Sequence, residues 1–443
     1  MGSNNFKHIL FISRFYIHVN NDGSSAYILD LMKYLKENSF DITYVLLPQI
    51  KINKYPWYKI PKSVSELMSV ETNSFIRVGN YLIAKIIILE WIPILIWLVY
   101  MQSPLRFKKF YRKLRTSLNH WFNEKSKLFK KSNVEIRTLD ISPNEKLYIN
   151  KLMNKYSPSA VIVDFASLAG IFDAITDSSN IKKILLTHDV LFKRARDFSQ
   201  AGVLIDDLER GWTYELESFA LQKADVVIAI QKEEANLFKS MSPTNQIITV
   251  PMAATLKKNI HKQISGRCLF VGSGADQNIV CINWFLYEVW GEVLQQNPNA
   301  SFHVCGTVCD SISKFASNTK LLGRIDNLNQ EYDEAEVVVV PLIAGTGLKI
   351  KLIEALSYGR VVVSTHVGVQ GIYELENSGI IVADKHQDFA SAIIEIQRSP
   401  DLRQSMEKKA RNFITKYFSK EICYQPLMDS INFQSTKRKN IDT

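Results

Sequence analysis

Residues 337 to 372, VVVVPLIAGTGLKIKLIEALSYGRVVVSTHVGVQGI, leave few folds open to the chain. Four consecutive valines make a strand covered on both faces, since a half-exposed strand alternates apolar with polar side chains. The run closes at Pro341, and a glycine-bearing loop, AGTG, follows it. From about Leu348 the apolar spacing turns helical, with Leu348, Leu352, Ala355 and Leu356 on one side. Gly359 ends that helix, and VVVST reads as the next strand. Strand, loop, helix and strand together imply a buried parallel sheet in an α/β protein.

The start of such a helix offers free backbone N–H groups and a partial positive charge to an anion, and phosphate is the expected one. Lys349 and Lys351 stand at that first turn, where a cation opposes the helix dipole. Their place there calls for a counter-charge or a solvated role. Glu354, one turn on, is of the type and position to accept hydrogen bonds from a ribose diol. The plain alternative is a βαβ unit with surface lysines and a capping loop.

The residues themselves resemble the donor-binding motif of glycosyltransferase family 4. Pro341, Leu342, Gly345, Thr346, Gly347, Lys349, Lys351, Glu354, Ala355 and Gly359 fall on it, as do Val362 to Thr365 and Gly368. Arg360-Val361 replaces the usual Lys-Pro, and Gln370 stands where a glutamate often precedes the glycine. Many relatives carry a pair of glutamates, and here Thr346 takes the place of the first while Glu354 keeps the second. The resemblance implies the GT-B architecture, two Rossmann-like domains facing across a cleft. It also implies a retaining, metal-independent transfer of a sugar from a nucleotide-sugar to an acceptor hydroxyl, with no cofactor. Thr346, Gly347, Leu348, Lys349, Lys351 and Glu354 are the donor-binding candidates it supplies from this stretch, with Lys351 also acting in catalysis.

The first strand and helix, HILFISRF and SSAYILDLMKYLKE, are joined by a loop holding Gly23 and Ser24. In the family this loop nears the donor phosphates, and an unliganded helix cap reads the same. His188, at the carboxyl end of KKILLT, is placed where open α/β sheets bind ligands, and an imidazole there can contact a sugar hydroxyl or move its proton. A structural histidine fits that position too, but family members commonly carry His-Asp there, which makes His188 the second catalytic candidate. Arg194 and Arg196 meet an anionic acceptor or pair with Asp197 or Glu209.

The segment AATLKKNIHKQISGR is polar and without period, and reads as a linker. Beyond it Gly272-Ser273-Gly274 opens a second domain; Gln277 replaces the third glycine of a dinucleotide fingerprint, which leaves an NAD enzyme as a weak rival. By resemblance Gly272 and Ser273 approach the donor phosphates, and Gly323-Arg324 form the base-contacting turn. The expected domains are 1–252 on the acceptor side, 253–416 on the nucleotide-sugar side, and a crossing helix and tail at 417–443, with an insertion at about 51–135.

Five cysteines show no disulfide spacing, which points to a reducing compartment. His303, Cys305 and Cys309 read as buried residues of an apolar strand rather than as metal ligands. The apolar run after His8 is only a strand long, so no signal peptide is expected, and Phe6 breaks the myristoylation pattern. Net charge is +10, which suggests nucleic acid until it is located: residues 101–131 hold ten Lys and Arg against Glu124 alone. The apolar, tryptophan-bearing run 81–101 precedes them, broken by Lys85, Glu90 and Pro93. That pairing suits an anionic membrane surface better than a transmembrane helix; a helical hairpin packed on the first domain is the alternative. The expected place is the cytoplasm, peripheral to the inner face of the membrane, and the expected role is cell-surface polysaccharide or glycolipid assembly with a glycan or lipid-linked acceptor. A catalytically silent scaffold of the same fold and a phosphorylase or epimerase are the rival functions.

Overall fold

The computed structural model describes residues 7–17, 23–47, 57–85, 139, 141–175, 181–200, 211–313, 317–344 and 348–439. The expectations for Gly345, Thr346 and Gly347, and for most of the 81–131 stretch, lie outside the described residues. Up to residue 175 the chain runs β1 (Lys7–Ser13), α1 (Gly23–Glu37), β2 (Phe40–Leu46), β3 (Trp57–Lys59), α2 (Lys62–Leu67), β4 (Ser69–Glu71), β5 (Phe75–Val78), β6 (Tyr81–Ala84), α3 (Pro143–Tyr156) and β7 (Ala160–Asp164). There follow β8 (Lys182–Leu186), α4 (Leu191–Gln200), α5 (Tyr214–Leu221), β9 (Val226–Ala229), α6 (Lys232–Met241), β10 (Gln246–Thr249), β11 (Arg267–Val271), α7 (Asp276–Trp284) and α8 (Trp290–Gln296). The chain continues through β12 (Ser301–Cys305), β13 (Thr319–Gly323), α9 (Asn329–Glu334), β14 (Val337–Val340), α10 (Ile350–Ser357), β15 (Val361–Ser364), β16 (Ile380–Val382), α11 (His386–Arg398), α12 (Pro400–Tyr417) and α13 (Lys420–Lys439). Contacts group these into two units, Met1–Ile17 with Ser39–Lys183, and His18–Asn38 with Ile184–Thr443.

In the first unit β1 lies between β2 and β7, and β2 also pairs with β4, all in parallel. Ile9, Leu10, Phe11 and Ile12 are wholly buried. Removing each such side chain from water is worth about 1.5–3 kcal/mol, which is why a strand with no polar alternation settles in the middle of a covered sheet. At the carboxyl ends of β1 and β7 the Ser13 hydroxyl donates to Asp164 Oδ2 at 2.7 Å. A separate antiparallel sheet in the order β3-β6-β5 belongs to the same unit.

In the second unit β8, β9 and β10 pair in parallel, and a six-stranded parallel sheet runs β13-β12-β11-β14-β15-β16. Val337 to Val340 lie in register with Val361 to Ser364, and every residue of both strands is buried. α10 starts at Ile350, two residues later than the spacing predicts. Lys349 keeps an extended backbone (φ −87°, ψ 97°), and Leu348 is buried beside Gly371 instead of joining the helix. The helix ends where the sequence puts its stop: Gly359 has φ 68°, its amide donates to Leu356 O, and Arg360 N donates to Ala355 O. Residues 253–266 form no helix or strand, yet they are tied down, because the amides of Ile260 and His261 donate to Asp333 Oδ2 at 2.8 and 3.1 Å. His303 and Cys305 are buried on β12, with His303 Nδ1 2.6 Å from Glu331 Oε2. α13 packs on α1, where Tyr424 Oη donates to Asp30 Oδ2 at 2.7 Å and Lys420 Nζ lies 2.8 Å from Asp30 Oδ1. Among the described residues no helix is long and apolar enough to cross a membrane.

Candidate functional site

The carboxyl edge of the six-stranded sheet is drawn together by glycine. Gly306 has φ 102°, and a Cβ on it would lie 2.0 Å from Gly272 O, so no other residue fits without moving the loop. The ladder continues past the strand ends: Gly272 N donates to Cys305 O at 3.0 Å and Gly306 N to Gly323 O at 2.7 Å. These bonds set the Gly272-Ser273 loop beside the Gly323-Arg324 turn. Between them opens a pocket of about 540 Å³.

Two helix starts meet at this pocket. A Cβ on Gly23 would come within 2.4 Å of Ile350 Cδ1, so the first residues of α1 and α10 lie side by side. Neither helix has an acidic residue in its first turn. Both positive ends are therefore left to attract an anion.

Lys351 reaches back across the sheet edge. Its Nζ donates to Asn278 Oδ1 at 2.6 Å and sits 4.7 Å above the Phe270 ring, while Asn278 Nδ2 donates to Ser273 O and Oγ at 3.0 and 3.1 Å. Asn278 thus fixes the lysine and the glycine loop at once. Burial lowers the Lys351 pKa from its ordinary value. Lys349 is 8% exposed, and burial pulls its pKa down to about 8 against the opposing pull of Asp189 and Glu234. Glu234, itself buried, is pushed up to about 8 by desolvation. The question raised by two cations at a helix start is answered unevenly: Lys349 faces carboxylates, and Lys351 has a neutral amide. Gln370, where a glutamate is usual, accepts from Lys349 at 3.4 Å.

Glu354, on the first turns of α10, lines the pocket. Tyr332 Oη donates to Glu354 Oε2 at 3.0 Å, and burial raises the carboxyl pKa. The Tyr332 ring stacks on Tyr358, centroids 4.5 Å apart and 13° from parallel. Tyr358 in turn donates to Asn329 Oδ1 at 2.5 Å.

Of the residues singled out from the sequence, Gly23, Gly272, Ser273, Arg324, Leu348, Lys349, Lys351 and Glu354 all line this pocket. His188 lines a smaller adjoining chamber of about 80 Å³ with Ser24, Leu348 and Ile350, its ring edge-on to Tyr27 at 6.0 Å. Thr346 and Gly347 lie outside the described residues. Arg196 pairs with Asp197 at 3.3 Å, as one of the two expectations had it, while Arg194 pairs with Asp189 at 2.6 Å and Glu209 lies outside the described residues; Asp189, just before α4, lines the pocket too. Asn278, Tyr332 and Glu234 were not found from the sequence. No spacing signals them, since each acts through a neighbour distant in the chain.

Residues 265–399 match the family described as Glycosyl transferases group 1. That segment spans β11 to α11, the whole six-stranded sheet. Over that segment the chain is similar to the group 1 glycosyltransferases. A Klebsiella pneumoniae protein named as an uncharacterized 44.6 kDa protein in the cps region is 23% identical over 228 residues, 47% of this chain and 58% of its own length. The chain thus spans little more than half of that curated relative. Among solved structures, sucrose-phosphate synthase from Thermosynechococcus elongatus superposes with a TM-score of 0.61 at 14% identity, over 98% of this chain and 99% of that one. A TarM variant of S. aureus, in complex with fondaparinux, α-GlcNAc-glycerol and UDP, gives 0.61 at 13% identity, over 96% and 100%. HepE of Anabaena, in complex with UDP and glucose, gives 0.60 at 11%, over 96% and 99%. These likenesses show the fold, which is GT-B.

Proposed function

We propose that this chain is a glycosyltransferase that moves a sugar from a nucleotide-sugar to an acceptor hydroxyl. The observation that carries the reading is the meeting of two helix N-termini, Gly272, Lys351 and Glu354 on one pocket. A diphosphate fits that chemistry: amide N–H groups of α1 and α10 face it, and Lys351 supplies a held positive charge. Glu354 accepts from the ribose diol, and the Arg324 turn borders the base. UDP in the TarM and HepE structures supports a nucleoside diphosphate as the ligand class.

In this reading the bond between the anomeric carbon and the diphosphate oxygen breaks, and a glycosidic bond forms to the acceptor oxygen. Negative charge grows on the leaving diphosphate, where fixed donors stabilise the transition state more than the ground state. The acceptor proton passes to a donor-phosphate oxygen, and His188 orients the transferred sugar from the adjoining chamber. Retention of configuration and independence from metal go with the family resemblance. The cps-region relative supports a role in surface polysaccharide assembly, with a glycan or lipid-linked acceptor. The sequence domains at 1–252, 253–416 and 417–443, and contact of 81–131 with an anionic membrane from the cytoplasmic side, belong to the same proposal.

Thr346, in the place of a usual glutamate, favours one rival, a catalytically silent scaffold of the same fold. A panel of nucleotide-sugars tested for thermal stabilisation and then for transfer decides between them. A binder raises the melting temperature by mass action. Stabilisation followed by sugar release or transfer supports the enzyme, stabilisation without turnover on any acceptor supports the scaffold, and no stabilisation by any nucleotide-sugar overturns both.

A further inference from the structure

The antiparallel sheet β3-β6-β5 turns one face inward and one outward. Tyr58, Phe75 and Leu82 are buried on the inner side. The register sets Trp57, Ile83 and Ile76 in one row across the other side and Lys59, Tyr81 and Val78 in the next. Ile76 and Val78 are 56% and 57% exposed, and Tyr81 and Trp57 are exposed as well. A monomeric protein seldom leaves two rows of aliphatic and aromatic side chains open to water on a sheet.

Charge tells which partner fits. Lys59 in the second row and Lys85 just after β6 are exposed, and the three strands hold no Asp or Glu; Arg77, also exposed, falls by register in the row of Tyr58 and Leu82 on the other side. An apolar face with aromatic residues whose strands carry only cations matches the boundary between headgroups and acyl chains of an anionic bilayer, where rings sit among the headgroups and ammonium groups pair with phosphate. A protein partner of ordinary composition would call for acceptors and acids in the rim as well.

We infer that the outer face of β3-β6-β5 is a docking surface for an anionic lipid bilayer. It extends the membrane contact proposed for residues 81–131 to side chains of an ordered sheet, and it is independent of the donor site. The full-length protein is mixed with vesicles of phosphatidylglycerol and phosphatidylcholine, or of phosphatidylcholine alone, and sedimented. The wild type is expected to bind the anionic vesicles, and the Ile76→Asp/Val78→Asp variant to bind them roughly tenfold less, with unchanged melting temperature and unchanged stabilisation by a nucleotide-sugar. Equal binding by the variant overturns this inference and leaves membrane contact through 86–131 standing. Wild type that binds neither vesicle overturns both. Sedimentation velocity covers the other occupant: an oligomer that the variant dissociates assigns the face to a second copy of the chain and overturns the lipid reading.

Discussion

The phenol of Tyr332 and the carboxylate of Glu354 are hydrogen-bonded at 3.0 Å, and of the two residues Glu354 lines the pocket. Tyr332 is wholly buried and stacked on the Tyr358 ring, so its hydrogen bond holds one oxygen of Glu354 in place. A hydrogen bond to a charged group is worth about 1.5–3 kcal/mol. Tyr332→Phe keeps the stack and removes that bond. Calorimetric titration is expected to show nucleoside diphosphate binding weakened by about tenfold, with the preference for ribose over dideoxyribose lost. An unchanged preference removes Glu354 from the ribose.

Lys351→Ala takes away a held positive charge beside the expected diphosphate. Losing one fixed donor to a developing negative charge costs about 10²–10³ in kcat. The melting temperature is expected to fall little, because the freed Asn278 still donates to Ser273. Turnover at saturating donor, measured beside a thermal melt, checks the split; an unaltered rate sinks the role.

Lys349 gives the site a pH dependence. Its pKa is pulled down to about 8 by burial, with Asp189 and Glu234 raising it and Lys351 lowering it further. A bound dianion favours the ammonium and lifts that value. Affinity should therefore be flat below about pH 8 and fall above it, by up to roughly tenfold per pH unit. Binding near pH 8.5 takes up a proton, seen as a heat that varies with the ionisation enthalpy of the buffer. Glu234, raised to about 8, would take up a proton with the same sign, so Glu234→Gln and Lys349→Met are compared. Only the second is expected to abolish the uptake.

Gly306→Ala tests the glycine packing of the sheet edge. With φ 102° and a contact of 2.0 Å to Gly272 O, the added methyl must displace the loop. A loss of more than about 3 kcal/mol in stability is expected, read from denaturant unfolding. An alanine variant of wild-type stability would mean that the loop is free to move.

Much of this was legible from periodicity and punctuation. The valine runs at 337–340 and 361–363 became buried parallel strands, and Gly359 closed its helix, because burial and left-handed backbone are local demands that a few residues state outright. Lys349 and Lys351 were also visible, since a cation at a helix start is out of place. What they touch was hidden. Asn278 is 73 residues from Lys351, and Tyr332 is 22 from Glu354; those pairings are made by sheet order, which no single stretch encodes. The start of α10 was misjudged by two residues for a similar reason, as Leu348 answers to Gly371 and not to its own helix.

The bond between Asp30 and Tyr424 joins residues 394 apart in sequence. α1 therefore leaves the ribosome long before the helix it packs against has been made. At ordinary elongation rates the wait is roughly 20–80 s, during which Tyr34 of α1 lacks the Tyr424 ring that packs against it with centroids 5.2 Å apart. The face of α1 that α13 later covers is open to nascent-chain chaperones for that interval.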